Sequence, residues 1–367
     1  MILMNDFKAE PEELRERMVA AARRVFESGW YVLGGEVSRF EAEWSQRCAT
    51  THAVGVGNGM DAIEIALRAL DIGPGDEVVT TPMTAFATVL AIIRAGATPV
   101  LADIEPDSAL LSLASVERCL SAKTKAVVLV HLYGQVRDMD RWGRLCKERG
   151  LHLVEDCAQS HLASWQGRPA GSFGVAGAYS FYPTKNLGAI GDAGMLVTSD
   201  QALGERARQL RNYGQSVRYH HPHLGMNSRL DELQAALLTE RLAFLPEWTD
   251  RRRQVSEQYR RGIRNPQVKL LAPPQEPAAH VHHLFVVTCE RRDALLAHLQ
   301  ASGVQALVHY PVPVHLQEPC RQTRRDPAGL AQAERHAGTC LSIPCHPQLD
   351  DQQVQAVIAA LNSFQPA

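Results

Sequence analysis

Lys185 lies in Tyr179-Ser-Phe-Tyr-Pro-Thr-Lys-Asn-Leu-Gly188, among small and apolar residues rather than in a charged run. A lysine in such surroundings can act as an amine nucleophile toward a carbonyl, although most single lysines are solvated surface groups. A second segment, Val154-Glu155-Asp156-Cys157-Ala158-Gln159-Ser160-His161, ends an apolar run with two carboxylates. A carboxylate there could bind a metal, act as a base, pair with a cation or simply cap a helix. The third segment is Gly57-Asn58-Gly59-Met60-Asp61, placed between a strand pattern and a helix pattern. Small residues at a helix start let backbone N–H groups approach an anion, and the helix dipole favours negative charge there. A tight strand-to-helix turn would look the same.

Taken together, the three segments fit one cofactor. Pyridoxal 5′-phosphate (PLP) carries a phosphate, an aldehyde that takes a lysine amine, and a pyridine nitrogen that needs an acidic partner. Lys185 would bind the aldehyde and then shuttle a proton. Asp156 would keep the ring nitrogen protonated by opposite charge. Gln159 would donate to the phenolic oxygen, and Ser180 with Gly59 and Met60 would hold the phosphate. A nicotinamide cofactor fits less well, because Gly55-Val-Gly57 begins a dinucleotide fingerprint that would need glycine at Met60.

These segments must be positioned by an α/β scaffold. Helix patterns cover residues 11–28, 37–44 and 62–70, and strand patterns cover 52–56, 77–80, 98–102, 124–131, 152–155, 176–180 and 194–198. Strands alternating with helices predict a mostly parallel central sheet. Unbroken apolar runs such as Ala126-Val-Val-Leu-Val130 suit strands buried on both faces. A long helical stretch from Asp231 to Ile263, bent at Pro246, would lead into a smaller C-terminal α+β domain. Strands at 283–288 and 304–309 and helices at 294–302 and 350–362 are expected there. The domains are therefore drawn at 1–245 and 246–367.

Composition narrows the classes of function. The chain has 367 residues, 45% hydrophobic and 21% charged, with a formal net charge of −2. Arg251-Arg252-Arg253 is the closest approach to a basic run, and it reads as a solvated helix face, so nucleic acid is not an expected partner. No stretch of about 18 apolar residues occurs, and the N-terminal pattern is not that of a signal peptide. Eight scattered cysteines without a CxxC pair point to free thiols, no zinc site and a cytoplasmic protein.

The sequence resembles the DegT/StrS-type sugar aminotransferases, which are fold-type I PLP enzymes. The likeness runs through Leu33-Gly-Gly-Glu36, Gly57-Asn-Gly-Met-Asp61, Gly73-Pro-Gly-Asp-Glu77, Glu155-Asp-Cys-Ala-Gln159, Ser180–Gly188, Gly225-Met-Asn-Ser-Arg-Leu-Asp-Glu-Leu-Gln-Ala-Ala236 and Tyr310-Pro-Val-Pro-Val-His315. The resemblance implies a homodimer in which Asn227 reaches the phosphate of the partner's PLP, followed by Arg229 at the loop or at a substrate carboxylate. It also implies an aromatic ring over the cofactor; Ala85 stands at the usual place, which leaves Phe86 as the candidate. The implied reaction moves an amine from glutamate to the ketone of a nucleotide-linked sugar. Asn227-Ser-Arg-Leu-Asp leans toward members acting on 3-keto rather than 4-keto sugars. Candidate substrate residues are Tyr213, Tyr219, His220, Arg229, Tyr310 and His315. Other PLP reactions in the family, such as dehydration by members lacking the lysine or a non-sugar transamination, remain the alternative reading.

Overall fold

A computed structural model describes residues 1–365. Seven strands form the body of the central sheet: β1 (His52–Val56), β2 (Glu77–Thr80), β3 (Thr98–Leu101), β4 (Thr124–Val130), β5 (His152–Asp156), β6 (Ala176–Ser180) and β7 (Gly194–Thr198). Their spatial order is β1-β7-β6-β5-β4-β2-β3, and Arg324–Arg325 extends the β3 edge. All pairings are parallel except the two made by β7. Both faces are covered, as the apolar runs require. On one face Val127 and Leu129 join Phe40 and Trp44 from α2 (Gly35–Arg47) and Leu238 from α8 (Glu232–Leu242). On the other, Ala126 and Val128 join Ile63 and Leu67 from α3 (Gly59–Ala69) and Ile92 from α4 (Phe86–Arg94).

Several matched stations turn out to be structural joints. Glu232 accepts the N–H groups of Gly34, Glu36 and Val37 at 2.7, 2.8 and 3.0 Å. It thereby satisfies the open first turn of α2, which its own residues leave uncapped. Gln234 accepts the Ile190 N–H at 3.0 Å, tying α8 to the loop that follows Lys185.

The helical stretch after Asp231 is two helices. The chain breaks at Ala243–Phe244, and Pro246 sits in the first turn of α9 (Leu245–Gly262). A proline there loses no hydrogen bond, so it starts a helix rather than bending one. A second apolar cluster gathers Val255 and Tyr259 of α9 with Phe285, Leu295, Leu299, Leu341 and Leu361. Its sheet pairs Phe285–Thr288 with Cys340–Ile343 and with Lys269–Leu270. The expected strand at 304–309 is not one: Val304 and Leu307 make isolated bridges to Ile2 and Ser342. Pro311 and Pro313 follow and cannot extend a ladder. Among the described residues no helix is long and apolar enough to cross a membrane, and the cysteines are free and buried.

Candidate active site

The three chemical segments meet at the C-terminal ends of the parallel strands, where open α/β sheets hold ligands. Beyond β1, Asn58 caps α3, its Oδ1 accepting the Asp61 N–H at 2.9 Å. The Gly59 and Met60 N–H groups are left without a protein acceptor among the described residues. Ser180, at the end of β6, lies against this turn so closely that a Cβ on Gly59 would stand 2.7 Å from the Ser180 Cβ. A Cβ on Gly194 would meet the Asn58 carbonyl carbon at 2.3 Å, so only glycine lets β7 pass beneath. The result is a cradle of two free N–H groups and a hydroxyl at a helix N-terminus, which suits a phosphate.

Asp156 ends β5 and is buried. Its Oδ2 accepts from Thr88 Oγ1 at 2.8 Å, and its Oδ1 accepts from the Ala158 N–H at 3.1 Å. Thr84 and Thr88 share a hydrogen bond at 2.9 Å, so two buried hydroxyls, one from the bend before α4 and one from its first turn, stand behind the carboxylate. Gln159 accepts the Tyr133 N–H at 2.6 Å through Oε1 and donates through Nε2 to the Tyr310 hydroxyl at 3.2 Å. Asp156, Gln159 and Tyr310 are expected from the sequence to lie at the site; Thr84, Thr88 and Tyr133, which contact them here, carry no such expectation. Thr84 precedes the Ala85 N-cap of α4 and Thr88 lies in its first turn, so no helical period links the two in the sequence.

Lys185 follows β6 in a turn closed by its own N–H on Tyr182 O at 2.8 Å and by Ala189 N–H on Phe181 O at 2.7 Å. Asn186 fastens the turn to a strap from the C-terminal part: its Nδ2 donates to Val281 O at 3.1 Å, and its Oδ1 meets His283 Nδ1 at 3.1 Å. Lys185 is half-buried by surface area, but its amine lies where loss of solvent is the larger influence. Burial lowers its pKa to about 8, against the pull of Asp156, which favours the ammonium. Burial also raises the Tyr310 hydroxyl to about 12, with Asp156 adding to the effect. His161 is held neutral, its pKa near 3, first by burial and then by Lys185; His309, near 4, is similar.

The remaining candidates are spread more widely. Asn227 is exposed with no side-chain partner among the described residues, while its neighbours Ser228 and Leu230 are buried. Arg229 donates to Asn212 Oδ1 at 3.3 Å and lies 5.4 Å from the Tyr213 ring centre. Tyr213 and Tyr219 are exposed, and His220 Nδ1 meets Ser216 Oγ at 3.0 Å on the same loop. His315 is buried against Glu334, with Nε2 2.9 Å from Oε1. Phe86 packs with Val89, Leu101, Val314, Cys320 and Leu330. That apolar setting accounts for the ring by itself.

The donor set fits PLP: an amine with a lowered pKa, a fixed buried carboxylate, an amide and a phosphate cradle. A metal fits less well. His131, Glu155 and Cys157 place ligand atoms within 4.8 Å of one another. Glu155, however, already accepts from Gly171 N–H, Gly174 N–H and His131 at 2.9, 2.7 and 2.9 Å. Burial holds the Cys157 thiol well above its ordinary range, so no thiolate is offered.

Known proteins agree with this geometry. The chain is 47% identical over 363 residues to a dTDP-3-amino-3,4,6-trideoxy-α-D-glucose transaminase of Streptomyces venezuelae, covering 98% of this chain and 95% of that protein. It is 37% identical to a UDP-N-acetyl-3-dehydro-α-D-glucosamine 3-aminotransferase of Acidithiobacillus ferrooxidans, covering 98% and 97%. The crystal structure of DesV from S. venezuelae superposes with a TM-score of 0.95 at 45% identity, covering 98% and 97% of the two chains. The sequence model of one family matches residues 12–362, and the chain accordingly belongs to the DegT/DnrJ/EryC1/StrS aminotransferase family.

Proposed function

We propose that this PLP-dependent aminotransferase transfers the amine of glutamate to C3 of a nucleotide-linked 3-keto-hexose, working as a homodimer. The observation that carries the transaminase reading is the convergence of Lys185, whose pKa burial lowers to about 8, with Asp156 and Gln159 at adjoining strand ends. The preference for C3 is supported by the two curated relatives above, both named for amination at that carbon.

Bound PLP supplies an electron sink and a carrier for the amine. The chain's own groups do the rest. Asp156, held by Thr88 and the Ala158 N–H, offers the ring nitrogen a fixed carboxylate that keeps its proton. Gln159, whose Nε2 already reaches toward Tyr310, is placed to donate to the phenolic oxygen. Gly59, Met60 and Ser180 hold the phosphate. The Lys185 amine takes and returns the substrate proton; a pKa near 8 suits both directions at neutral pH.

The dimer reading is supported by the exposed Asn227, whose amide has no partner among the described residues, and by the large exposed side chains Tyr182, Ile190 and Tyr213. Arg229, Tyr219, His220, Tyr310 and His315 are proposed on the substrate side. A ring-stacking part for Phe86 gains no support from its placement. A division near residue 245 is supported by the separate cluster of Val255, Phe285 and Leu341, although Val281 joins the first cluster and Val314, Cys320 and Leu330 pack with Val89 and Leu101 across the boundary.

The test is turnover with glutamate across a panel of nucleotide 3-keto and 4-keto sugars, with the product read by NMR. An amine at C3 is expected. Amination only at C4, or no turnover of any keto-sugar, would refute the proposal.

A further inference from the structure

Tyr133 follows β4 in a left-handed backbone conformation, with φ of 61°, and Gly134 after it has φ of 92°. Bulky residues seldom adopt that region, and they persist there only where surrounding contacts over-determine it. Two of those contacts lead to the site. The Tyr133 N–H donates to Gln159 Oε1 at 2.6 Å, and the Tyr133 hydroxyl donates to His309 O at 2.6 Å. The hydroxyl also lies 2.9 Å from His336 Nε2. Tyr133, Gln159 and His336 are all buried. A Cβ on Gly134 would stand 2.7 Å from Gln159 O, so the two segments pack without slack.

The direction of each bond follows from what its atoms can do. A carbonyl oxygen only accepts, so the single hydroxyl proton of Tyr133 goes to His309 O, and the Tyr133 oxygen accepts from His336 Nε2. Gln159 Oε1 likewise accepts from the Tyr133 N–H, which leaves Nε2 to donate to the Tyr310 oxygen at 3.2 Å. The Tyr310 proton is then free for a ligand, and burial keeps it in place by raising the hydroxyl to about 12. The carbonyl that Tyr133 grips belongs to the planar peptide unit from which Tyr310 departs. Among the described residues its other donor is the weak Cys340 thiol, at 3.7 Å, while Ser342 Oγ meets the His309 ring at 2.9 Å.

We propose that Tyr133 is a positioning residue that sets both members of the Gln159–Tyr310 pair, so that Tyr310 faces the substrate as a hydrogen-bond donor. The inference rests on the reading above that puts Tyr310 on the substrate side. Tyr133 itself needs to touch no ligand. Its N–H orients the Gln159 amide, and its hydroxyl holds the peptide unit that carries Tyr310. Loss of the hydroxyl alone should keep the first hold and release the second.

The experiment pairs the apoprotein with the PLP-loaded enzyme. In apoprotein isotope-labelled at tyrosine Cζ, Tyr133→Phe should shift the Tyr310 NMR resonance, which is assigned by its loss in Tyr310→Phe. In the loaded enzyme, conversion of the bound cofactor by glutamate is followed by absorbance. Tyr133→Phe should slow it about 10-fold at limiting glutamate, as for one lost hydrogen bond. On the Tyr310→Phe background the same change should cost less than about 2-fold, because a residue acting through another has nothing further to lose. Should Tyr133→Phe not fold, Tyr133→Phe/His336→Leu takes its place, since it also removes the donor left stranded. An unmoved Tyr310 resonance overturns the proposal, and so does an equal loss on both backgrounds. A wild-type rate in Tyr133→Phe overturns it as well when Tyr310→Phe is slow. If Tyr310→Phe itself reacts at the wild-type rate, the substrate-side reading fails, while a shifted resonance keeps Tyr133 as the residue that positions Tyr310.

Discussion

Lys185 in the apoprotein should titrate near pH 8 instead of near the ordinary 10.5, because burial disfavours its ammonium. At pH 7.5 about a quarter of such amines are neutral, against about 0.1% of ordinary lysines, a gain of roughly 200-fold in nucleophile. The same difference corresponds to roughly 3 kcal/mol held against the folded apoprotein below pH 8. The sign follows from proton binding. Between pH 8 and 10.5 the unfolded chain keeps a proton that the folded chain has lost, so apo stability should rise with pH through that window. Competitive amine labelling of the apoprotein, read at Lys185 by mass spectrometry, gives the titration directly. Asp156→Asn removes the carboxylate that opposes the burial effect, so its midpoint should fall below 8. Lys185→Met removes the buried charge and should raise the apo melting temperature at pH 7. A wild-type midpoint at 10 or above would refute the desolvation argument, and so would a Met variant no more stable than the wild type.

Two further substitutions probe the supports of the site. Thr88→Val deletes the 2.8 Å donor to Asp156 with little change in shape; kcat/KM should fall about 10- to 100-fold, as for a hydrogen bond to a charged group, and Thr88→Ser should retain most activity. Equal rates for Val and Thr would remove Thr88 from the mechanism. Glu155→Gln should destabilise the fold by roughly 3 kcal/mol, because one amide cannot accept from two N–H groups and His131 as the carboxylate does. An unchanged denaturation midpoint would show that those three donors find other acceptors.

Much of the frame could be read from residue order. β6 and β7 fall at the expected residues, and the strand ends carrying Asp156 and Ser180 are where the apolar runs stop. These runs are legible because parallel strands are buried on both faces. The C-terminal part was harder. Ala331–Thr339 is a helix of mixed polar residues, and Cys340–Ile343 is a strand of four residues closed by Pro344, too short to announce a period. The site showed the same contrast. Lys185 and Asp156 stand in distinctive company, whereas Thr84, just before α4, and Thr88, in its first turn, look ordinary until Asp156 is brought to them across the sheet. Glu232 has nothing in its sequence neighbourhood to mark it; its task, closing α2 from about two hundred residues away, depends wholly on tertiary structure.

The two adjacent carboxylates show how far local geometry reaches. Successive residues of a strand face opposite sides of the sheet. Leu153 belongs to the cluster shared with α2, and Val154 to the cluster shared with α3 and α4. Continuing the alternation sends Glu155 to the α2 side and Asp156 to the α4 side. Glu155 there finds the Gly171 and Gly174 N–H groups and His131, three donors that occupy most of its acceptor sites. Asp156 finds one threonine hydroxyl and one N–H, which fix it without exhausting it. Of the pair, Asp156 has the more spare acceptor capacity, and it is the one that influences Lys185. A register slip of one residue would exchange the two roles. The buried Glu155 cluster opposes such a slip, so the donors around Glu155 help keep Asp156 on the side of Lys185.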